Sequence, residues 1–408
     1  MTWTTQRFAA AALGLLLGTA ACNNDELIRP AATVPIDPLF DRYVSMGNSI
    51  TAGFQSGGID SLTQMQAYPV LLARAMRSPF FPPLMKLPGC PPQYTNIFTQ
   101  TRVAGPPCAL RTTPRIPPPY ISNTAVPGAE VIDIYNNLDT ASNANALTTF
   151  FLGGLTQAEM MQRAKPTFVT VWIGNNDVLG AALDTANSGN VAKITPAATF
   201  QARYTLLLDS IAAARPAGVL LIGVANVAAP ADRTGLPPTQ PPANGAPFLS
   251  YGSTYYALDQ ANQIPGPFTA AATCAPPRGD SVLVPFPFGG GLINAGATLT
   301  CNEAQTIQPS ELTAMTTAVA AYNTFISAQA TSHGWAYFDP NAALAALRVV
   351  PTQVAFFPAF GAACSTNPFG LAFSCDGIHP SAATHKLVAN SLIPVINTTY
   401  GTAIPAIP

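Results

Sequence analysis

The chain contains few charged residues. Only 9% of its 408 residues are Asp, Glu, Lys or Arg, and the formal net charge is -1. The sequence therefore lacks the basic field that attracts a phosphate backbone, and nucleic-acid binding is not expected. It also contains no C-x-x-C pair and no H-E-x-x-H, so nothing in it predicts a zinc site.

The first 22 residues have the layout of an export signal. Arg7 precedes the apolar run FAAAALGLLLG, and TAAC then ends at Cys22. The apolar run is too short to span a membrane, so it predicts a signal peptide. Small residues directly before a cysteine resemble the lipobox of bacterial lipoproteins, in which the cysteine is lipidated. The alternative is an ordinary cleaved signal peptide with a chance cysteine.

This layout predicts where the protein resides. Residues 1–22 are expected to be a lipoprotein signal peptide and residues 23–40 a polar, Pro-containing tether. The mature protein is expected in the cell envelope, by default the outer membrane, held through a lipid on Cys22. If the cysteine is not lipidated, the protein is expected to be secreted.

Six cysteines remain when Cys22 is removed from the seven in the chain. An even number in an exported chain suggests disulfides, although sequence alone leaves fifteen pairings open. Neighbours in sequence form three close couples, each inside a Pro- or Gly-rich stretch. We predict disulfides between Cys90 and Cys108, Cys274 and Cys301, and Cys364 and Cys375.

Short runs of β-branched and aromatic residues alternate with longer helical patterns. This alternation is typical of a parallel sheet covered by helices. It predicts a single α/β domain over residues 41–400, built as a three-layer α/β/α sandwich with about five parallel strands. The predicted strands are RYVSMG, YISNTAV, TFVTVWIG, VLLIGVANV and WAYFDP. The predicted helices are QMQAYPVLLARAM, GAEVIDIYNNL, FQARYTLLLDSIAAA, SELTAMTTAVAAYNTFISAQATSHG and SAATHKLVANSLIPVIN.

Three stretches interrupt this alternation, near residues 79–119, 230–308 and 340–375. Long structureless loops are unusual in a compact domain unless they are functional or separately held together. We therefore interpret them as loop insertions at the rim of the sheet, pinned by disulfides, and not as extra domains. The third contains a group of phenylalanines, namely Phe356, Phe357, Phe360, Phe369 and Phe373.

Polar residues follow the predicted strands and helices at four places. They are Ser49 in GNSITAG, Gly128 in AVPGA, Asn176 in GNND, and Asp376 with His379 in DGIH. Ligands of open α/β sheets bind beyond the carboxyl ends of the strands, which makes these residues candidates for a site. Taken singly, each has an ordinary explanation as a helix cap, a turn glycine or a loop residue.

Together these residues supply the parts of a serine hydrolase. A serine hydroxyl becomes a nucleophile when an imidazole removes its proton, and the imidazole needs a carboxylate to hold its tautomer. His379 and Asp376 can supply both groups. The negative oxygen that develops on the attacked carbonyl needs preorganised donors. The backbone N–H groups of Ser49 and Gly128 and the side-chain amide of Asn176 can supply those.

The chain has three histidines, of which His379 is the candidate base. His385 follows it by six residues on the same predicted helix, which turns its side chain away from His379. We therefore expect His385 at the surface.

The order Ser, Gly, Asn, His in these four segments resembles the four sequence blocks of the SGNH hydrolases, also called GDSL esterases and lipases. The resemblance covers about residues 41–398, without the three insertions. It implies a flavodoxin-like fold, with Ser49 as nucleophile, His379 as base and Asp376 as its orienter. It also implies an oxyanion hole of Ser49, Gly128 and Asn176, and no metal or organic cofactor.

One residue departs from the family pattern. The first block usually carries Asp before the serine, where this chain has Asn48. The triad carboxylate of the family belongs to the Asp-x-x-His block, so the change bears on the support of the nucleophile turn and leaves the triad complete. An ordinary α/β-hydrolase is not expected, because the sequence contains no G-x-S-x-G.

These observations predict a secreted or lipid-anchored serine esterase that cleaves carboxylic esters. Its expected partners are small-molecule, lipid or glycan esters, and the membrane through its anchor. An apolar rim made by the phenylalanine-rich stretch would favour lipid or acyl esters, unless those side chains only pack the loop onto the sheet. Two alternatives stay open: a carbohydrate O-acetyl esterase, and a surface binding lipoprotein that keeps the fold without catalysis.

Overall fold

The computed structural model describes residues 36–112, 118–138, 146–227, 254–256, 269–275, 282–348, 350, 352–355 and 358–408. Cys22, the predicted signal peptide and most of the tether lie outside the described residues, as do Phe356 and Phe357. Within the described ranges, no helix has the length and apolarity needed to cross a membrane. The predicted domain boundaries and lipidation site stay predictions.

Strands and helices alternate along the described chain. The strands are β1 Tyr43–Gly47, β2 Tyr94–Asn96, β3 Thr101–Arg102, β4 Phe168–Trp172, β5 Gly218–Ile222, β6 Thr254–Tyr256, β7 Thr269–Ala270, β8 Leu283–Pro285, β9 Thr298–Leu299 and β10 Ala336–Phe338. The helices are α1 Ser49–Ala52, α2 Ser61–Gln66, α3 Tyr68–Met76, α4 Ala146–Leu152, α5 Gln157–Ala164, α6 Asn176–Ala182, α7 Ala197–Ala214, α8 Phe286–Ala295, α9 Pro309–His333, α10 Asn341–Arg348 and α11 Ala382–Tyr400.

The central sheet consists of β1, β4, β5 and β10, all parallel and in that spatial order. Gly47 at the end of β1 lies opposite Trp172 at the end of β4, which lies opposite Ile222 at the end of β5. Every residue of these three strands is buried. Continuous apolar strands are expected where both faces of a parallel sheet are covered.

Helices cover both faces of this sheet. On one face α3 packs against α11, over a core that contains Phe168 and Trp172. On the other face α5, α7 and α9 pack in a row, over a core that contains Val169 and Val171. Because successive side chains of a strand point to opposite faces, each strand contributes to both cores. The predicted three-layer α/β/α sandwich is confirmed.

The second predicted strand, YISNTAV, is reduced to a single parallel bridge between Ser45 and Asn123. The segment still runs beside β1, since Thr124 donates its N–H to the Ser45 carbonyl. The Asn123 side chain accepts the N–H of Ala125, and such local bonds compete with a strand ladder. With this segment counted as a strand, the spatial order is residues 120–126, β1, β4, β5, β10. In chain order these are the second, first, third, fourth and fifth strands, which is the flavodoxin-like order, with its switch point between β1 and β4.

Two predicted helices also differ from the structure. The run QMQAYPVLLARAM is divided at Ala67, because Pro69 fits the first turn of α3 and cannot continue a helix interior. The run GAEVIDIYNNL forms only a 3-10 turn, Val131–Ile134. Its first N–H groups are taken by side chains, since Glu130 N–H donates to Asp133 and Val131 N–H donates to Asp177.

The insertions carry the disulfides that the sequence predicted. The bonds join Cys90 to Cys108, Cys274 to Cys301, and Cys364 to Cys375. Each therefore closes a loop within one insertion. The first insertion contains the β2–β3 hairpin, and the second contains α8 between β8 and β9.

Four aromatic side chains join the insertions to one another. Phe98 from the first, Phe286 from the second, and Phe360 and Phe369 from the third form what we call the phenylalanine cluster. The ring centroids of Phe98 and Phe286 are 5.3 Å apart, and those of Phe286 and Phe369 are 5.2 Å apart. Edge-to-face pairs at such distances are favourable. Phe360 and Phe369 thus pack one insertion against the others.

The prediction that His385 lies at the surface is wrong. Its side chain is fully buried, and its Nδ1 accepts the N–H of Tyr68 at 3.3 Å. Burial lowers the pKa of His385 to about 3, with a further contribution from His379, so the ring is neutral at neutral pH. The helix periodicity correctly turned His385 away from His379, but that direction points into the α3–α11 interface and not into solvent.

Candidate active site

Ser49 begins α1 directly after the carboxyl end of β1. Gly47 is required at this turn, because a Cβ there would lie 2.5 Å from the Trp172 carbonyl oxygen and 2.5 Å from Thr51 Oγ1. Asn48 is the N-cap residue, and its side-chain oxygen accepts the N–H of Ile50 at 3.1 Å. The helix ends after one turn at Gly53, whose φ is +89°.

The capping bond explains how Asn48 can stand where the family usually has Asp. Asn and Asp are about equally good N-cap residues, because each offers a side-chain oxygen to a backbone N–H. Asn48 is 1% exposed. An amide at this buried position caps the helix without requiring an ionised group to be desolvated.

Asp376 and His379 lie in a tight turn that faces Ser49. Asp376 Oδ2 is 2.8 Å from His379 Nδ1, and His379 Nε2 is 2.8 Å from Ser49 Oγ. The other carboxylate oxygen of Asp376 accepts the N–H groups of Ile378 and His379, each at 2.9 Å. The three side chains form a continuous hydrogen-bonded chain from carboxylate to hydroxyl.

The environment of Asp376 keeps its carboxyl ionised. Burial by itself raises the pKa of this group, but the charge of His379 and the hydrogen bonds from His379 and Ile378 outweigh that effect. Together they lower the pKa to about 2. A buried carboxylate that is ionised at neutral pH can hold an imidazole in one tautomer and stabilise its protonated form.

The segment that follows α1 braces this turn. Gly57 donates its N–H to Asp376 Oδ2 at 2.7 Å. Ser56 N–H donates to Ser374 Oγ at 2.8 Å, and Cys375 N–H donates to Ser56 Oγ at 3.1 Å. The turn that carries Asp376 and the segment after Ser49 are therefore bonded to each other at three points.

The phenylalanine cluster and a disulfide also lie against this turn. Gly377 has a φ of +68°, and a Cβ on it would lie 2.8 Å from the ring of Phe369. The Cys364–Cys375 disulfide ends one residue before Asp376. The ring of Phe54 packs against the His379 imidazole, with centroids 4.9 Å apart. Only a glycine can follow Asp376 without displacing Phe369.

Gly128 and Asn176 lie at neighbouring element ends on the same edge of the sheet. Val126, just before Gly128, donates its N–H to the Gly47 carbonyl at 3.2 Å. Asn176 is the first residue of α6, shortly after β4, and its side-chain amide donates to the Ala129 carbonyl at 2.8 Å. The structure thus brings both residues to the switch point where Ser49 lies, and their roles there stay a prediction.

Asp177 is a residue of this site to which sequence reasoning assigned no role. It is fully buried directly after Asn176, and its Oδ2 accepts the Val131 N–H at 3.0 Å. Burial and the charge of Glu130 together raise the pKa of Asp177 to about 7, against the opposing effect of the Val131 hydrogen bond. The GNND segment contained the signal, but a side chain that bonds a backbone 46 residues away is not visible in a local pattern.

Among the described residues, no group of three or more His, Cys, Asp or Glu side chains could hold a metal ion. The described site brings together a serine hydroxyl, an imidazole and a carboxylate. These are the groups needed for acyl transfer to a hydroxyl.

Comparison with known proteins identifies one family. A family model described as GDSL-like lipase/acylhydrolase matches residues 43–392. A search of curated proteins finds no match.

Several solved structures are similar at low identity. A catalytic mutant of an acetylxylan esterase from Geobacillus stearothermophilus is 13% identical, with 87% of this chain and 94% of that chain covered and a TM-score of 0.39. An extracellular lipase from Streptomyces rimosus is 15% identical, with 88% and 99% covered and a TM-score of 0.39. A phospholipase A1 from Streptomyces albidoflavus is 16% identical, with 88% and 99% covered and a TM-score of 0.37.

Proposed function

The chain belongs to the GDSL-like lipase/acylhydrolase family, and from this premise we propose that it is a serine esterase whose catalytic triad is Ser49, His379 and Asp376. The observation that carries the proposal is the hydrogen-bonded chain through these side chains, in which both linking distances are 2.8 Å. Hydroxyl, imidazole and carboxylate in this order make up the machinery for nucleophilic attack on an ester.

The reaction follows from the positions of these groups. His379 Nε2 takes the proton of Ser49 Oγ as the oxygen attacks the ester carbonyl carbon. The tetrahedral intermediate collapses when His379 returns the proton to the leaving alcohol oxygen, which breaks the C–O bond and leaves an acyl group on Ser49. A water molecule, deprotonated by His379, then attacks the acyl carbon. The bond from that carbon to Ser49 Oγ breaks, His379 returns the proton to Oγ, and the acid is released.

We assign the oxyanion hole to the backbone N–H groups of Ser49 and Gly128 and the side chain of Asn176. Asn176 donates one N–H to the Ala129 carbonyl, and a primary amide carries two such donors. This bond fixes the orientation of the amide before the substrate arrives. Donors that need no reorganisation are the ones that stabilise a transition state most effectively.

Labelling with a fluorophosphonate tests this proposal directly. The probe should form a covalent adduct that peptide mapping places on Ser49, and Ser49→Ala should abolish it. The folded wild-type protein should also hydrolyse p-nitrophenyl esters. Absence of the adduct in folded protein would contradict the proposal and favour a binding lipoprotein without turnover.

We also propose that the protein is exported and anchored in the cell envelope by a lipid on Cys22. The support is the sequence of residues 1–22 alone: a basic residue, a short apolar run and small residues before the cysteine. Metabolic labelling with a fatty acid should mark the wild-type protein and not Cys22→Ala. Release of unlabelled wild-type protein into the medium would instead indicate an ordinary signal peptide.

A further inference from the structure

Ile378, which directly precedes His379, lines two cavities. One is a narrow apolar crevice of about 50 Å³ whose walls include Ile50 and Trp172. The other is a cleft of about 630 Å³ between α8, the loop 183–188 and Ile378, which we call the α8 cleft. Binding sites for small organic ligands have volumes of roughly 300 to 1,000 Å³. Of these two cavities, the α8 cleft is the one with the size to take a substantial part of a substrate.

The walls of the α8 cleft are predominantly apolar. Pro285, Phe288 and Leu292 form one side, and Leu183 and Ile378 are part of the other. Tryptophan and tyrosine, whose faces would stack on sugar rings, are absent from the described residues that line it. The surface offered to a ligand therefore suits a hydrocarbon chain.

The polar side chains that line this cleft mostly bond to the protein itself. Asp184 pairs with Lys193 at 3.0 Å, and this contact, with hydrogen bonds from the same loop, lowers the pKa of Asp184 to about 2. Ser188 Oγ donates to the Asp184 carbonyl, and Gln305 donates to the Ala186 carbonyl. A glycan would need polar groups directed at its hydroxyls, whereas these groups are used to shape the loop.

The wall made by α8 is held in place by contacts outside the cleft. Phe286, the first residue of α8, packs on Phe369 with centroids 5.2 Å apart. Phe369 in turn lies against Gly377 in the turn that carries His379. The cleft and the catalytic turn thus share a support, and the cleft exists before any ligand binds. Preorganisation of this kind lowers the entropic cost of binding.

We propose that the α8 cleft binds the acyl chain of the ester, so that the enzyme prefers medium- and long-chain acyl esters over acetyl esters. This inference rests on the proposed esterase function. The loop 183–188 directly continues α6, whose first residue, Asn176, is the proposed donor to the carbonyl oxygen. α6 is seven residues long, or about 10 Å. The cleft thus lies about one helix length from the carbonyl group, a distance that a medium-length acyl chain spans, and its wall at Ile378 adjoins His379.

Gly291 provides a way to fill the cleft without disturbing its walls. It lines the cleft, and a Cβ placed on it meets no atom within 4 Å. Gly291→Leu should obstruct the cleft, and Gly291→Ala should obstruct it less. Asn294→Leu is the matched control, because Asn294 is exposed on the same helix and does not line the cleft.

The experiment measures kcat/KM on p-nitrophenyl esters from acetate to decanoate. The wild-type value should rise with acyl length, by roughly threefold to fourfold per methylene while the chain lies in the cleft. Gly291→Leu should remove most of this rise, lowering the octanoate value about tenfold or more, with acetate changed less than about twofold. Gly291→Ala should fall between, and Asn294→Leu should match wild type.

Three outcomes would overturn the inference. One is a wild-type rate that falls beyond acetate, which would favour a deacetylase. Another is a chain-length profile that Gly291→Leu leaves unchanged. The third is an effect confined to a second series, acetate esters of longer alcohols, which would assign the cleft to the leaving group. In each of these cases hydrolysis by the wild-type protein would leave the proposed esterase function intact. A wild-type protein that is not labelled at Ser49 and hydrolyses no ester would instead refute both the esterase function and the acyl-chain inference.

Discussion

The two halves of the proposed active site are held in different ways. Ser49, Gly128 and Asn176, which we call the sheet half, lie at the ends of adjacent sheet segments and of the helices that follow them. Asp376 and His379, the loop half, lie in a turn supported by Ser56, Gly57, the phenylalanine cluster and a disulfide. The sheet half depends mainly on backbone pairing and local caps, whereas the loop half depends on contacts between distant parts of the chain.

This difference shows how a loop can carry a catalytic base with precision. A loop has few backbone hydrogen bonds of its own, so its position must come from side chains and from other loops. Gly57, which binds the Asp376 carboxylate, is 319 residues away in sequence. Phe369 and the Cys364–Cys375 disulfide, both in the third insertion, also lie against this turn. That insertion is therefore part of the support of the site, and the predictions below ask how far each half can be disturbed independently.

The largest effect is expected from substituting Ser49 and His379, the two residues that link the sheet half to the loop half. Ser49→Ala and His379→Ala should each lower kcat by roughly 10⁴-fold or more, and the double variant should be no slower than either single one. Groups that act as a unit lose the whole effect when any one is removed. Steady-state kinetics on one ester measure all three variants. Losses that multiplied in the double variant would mean that the two residues act separately.

Asp376→Asn should be nearly as severe, lowering kcat by about 10⁴-fold, because an amide would hold His379 in the wrong tautomer.

The same substitution should also reveal a pH dependence of stability. The folded-state pKa of Asp376 is about 2, below the ordinary value of 3.8. The stabilisation by the ionised carboxylate is therefore present above about pH 4 and is lost as the pH falls towards 2.

Urea unfolding of wild type and Asp376→Asn between pH 2 and 6 checks this part of the prediction. The difference in the free energy of unfolding should be roughly 2 kcal/mol above pH 4 and should shrink below it. A difference that is constant across this range would show that the Asp376 pKa is not lowered in the folded state.

Asn176→Ala tests the sheet half alone. If Asn176 donates to the oxyanion, kcat should fall by roughly a hundredfold to a thousandfold. KM should change little, because the interaction strengthens only in the transition state. The loss of the bond to Ala129 is a structural effect of the same substitution. The unfolding temperature of the variant distinguishes this structural effect from the loss of an oxyanion donor. Unchanged turnover would refute the assignment of Asn176 to the oxyanion hole.

The disulfides distinguish support of the loop half from general stability. Replacing Cys364 and Cys375 by Ala should lower stability by about 3 kcal/mol and reduce kcat several-fold, because the bridge ends beside Asp376. Replacing Cys274 and Cys301, whose bridge spans 27 residues, should cost stability at least as much. On acetate esters the variant without the Cys274–Cys301 disulfide should keep a wild-type kcat. An equal loss of kcat in the two disulfide variants would contradict the difference drawn between support of the loop half and general stability.

The smallest effect is expected at Asn48. Asn48→Ala removes the cap of α1 and should lower stability by about 1 kcal/mol. Asn48→Asp keeps an oxygen for the Ile50 N–H, so turnover at neutral pH should stay within about twofold of wild type. Rates of both variants from pH 5 to 9 measure this. A large loss in Asn48→Asp would mean that the amide does more than cap the helix.

Sequence patterns predicted the layered fold well, because apolar periodicity reflects which faces are buried. β1, β4 and β10 lie within three of the five predicted strands, and β5 overlaps a fourth but begins one residue before it, at Gly218. The prediction for residues 120–126 failed because Asn123 has a local hydrogen bond that a propensity pattern does not register. His385 was misplaced for a related reason, since periodicity gives the direction of a side chain and not what packs in that direction.

The sequence by itself determined the chemistry that this protein has available and the order in which the chain delivers it. GNSITAG and DGIH carry their own cap and turn, since helix caps and glycine turns depend on residues a few positions apart. The pairing of cysteines close in sequence followed for the same reason.

Only the tertiary structure decided where that chemistry meets and what surrounds it. The 2.8 Å contact between Ser49 and His379 joins residues 330 positions apart, and the phenylalanine cluster joins three insertions. The buried Asp177 and the α8 cleft likewise depend on which distant segments pack together. Such packing is decided by the free energy of the whole fold. A local sequence pattern does not show which distant segment a residue packs against.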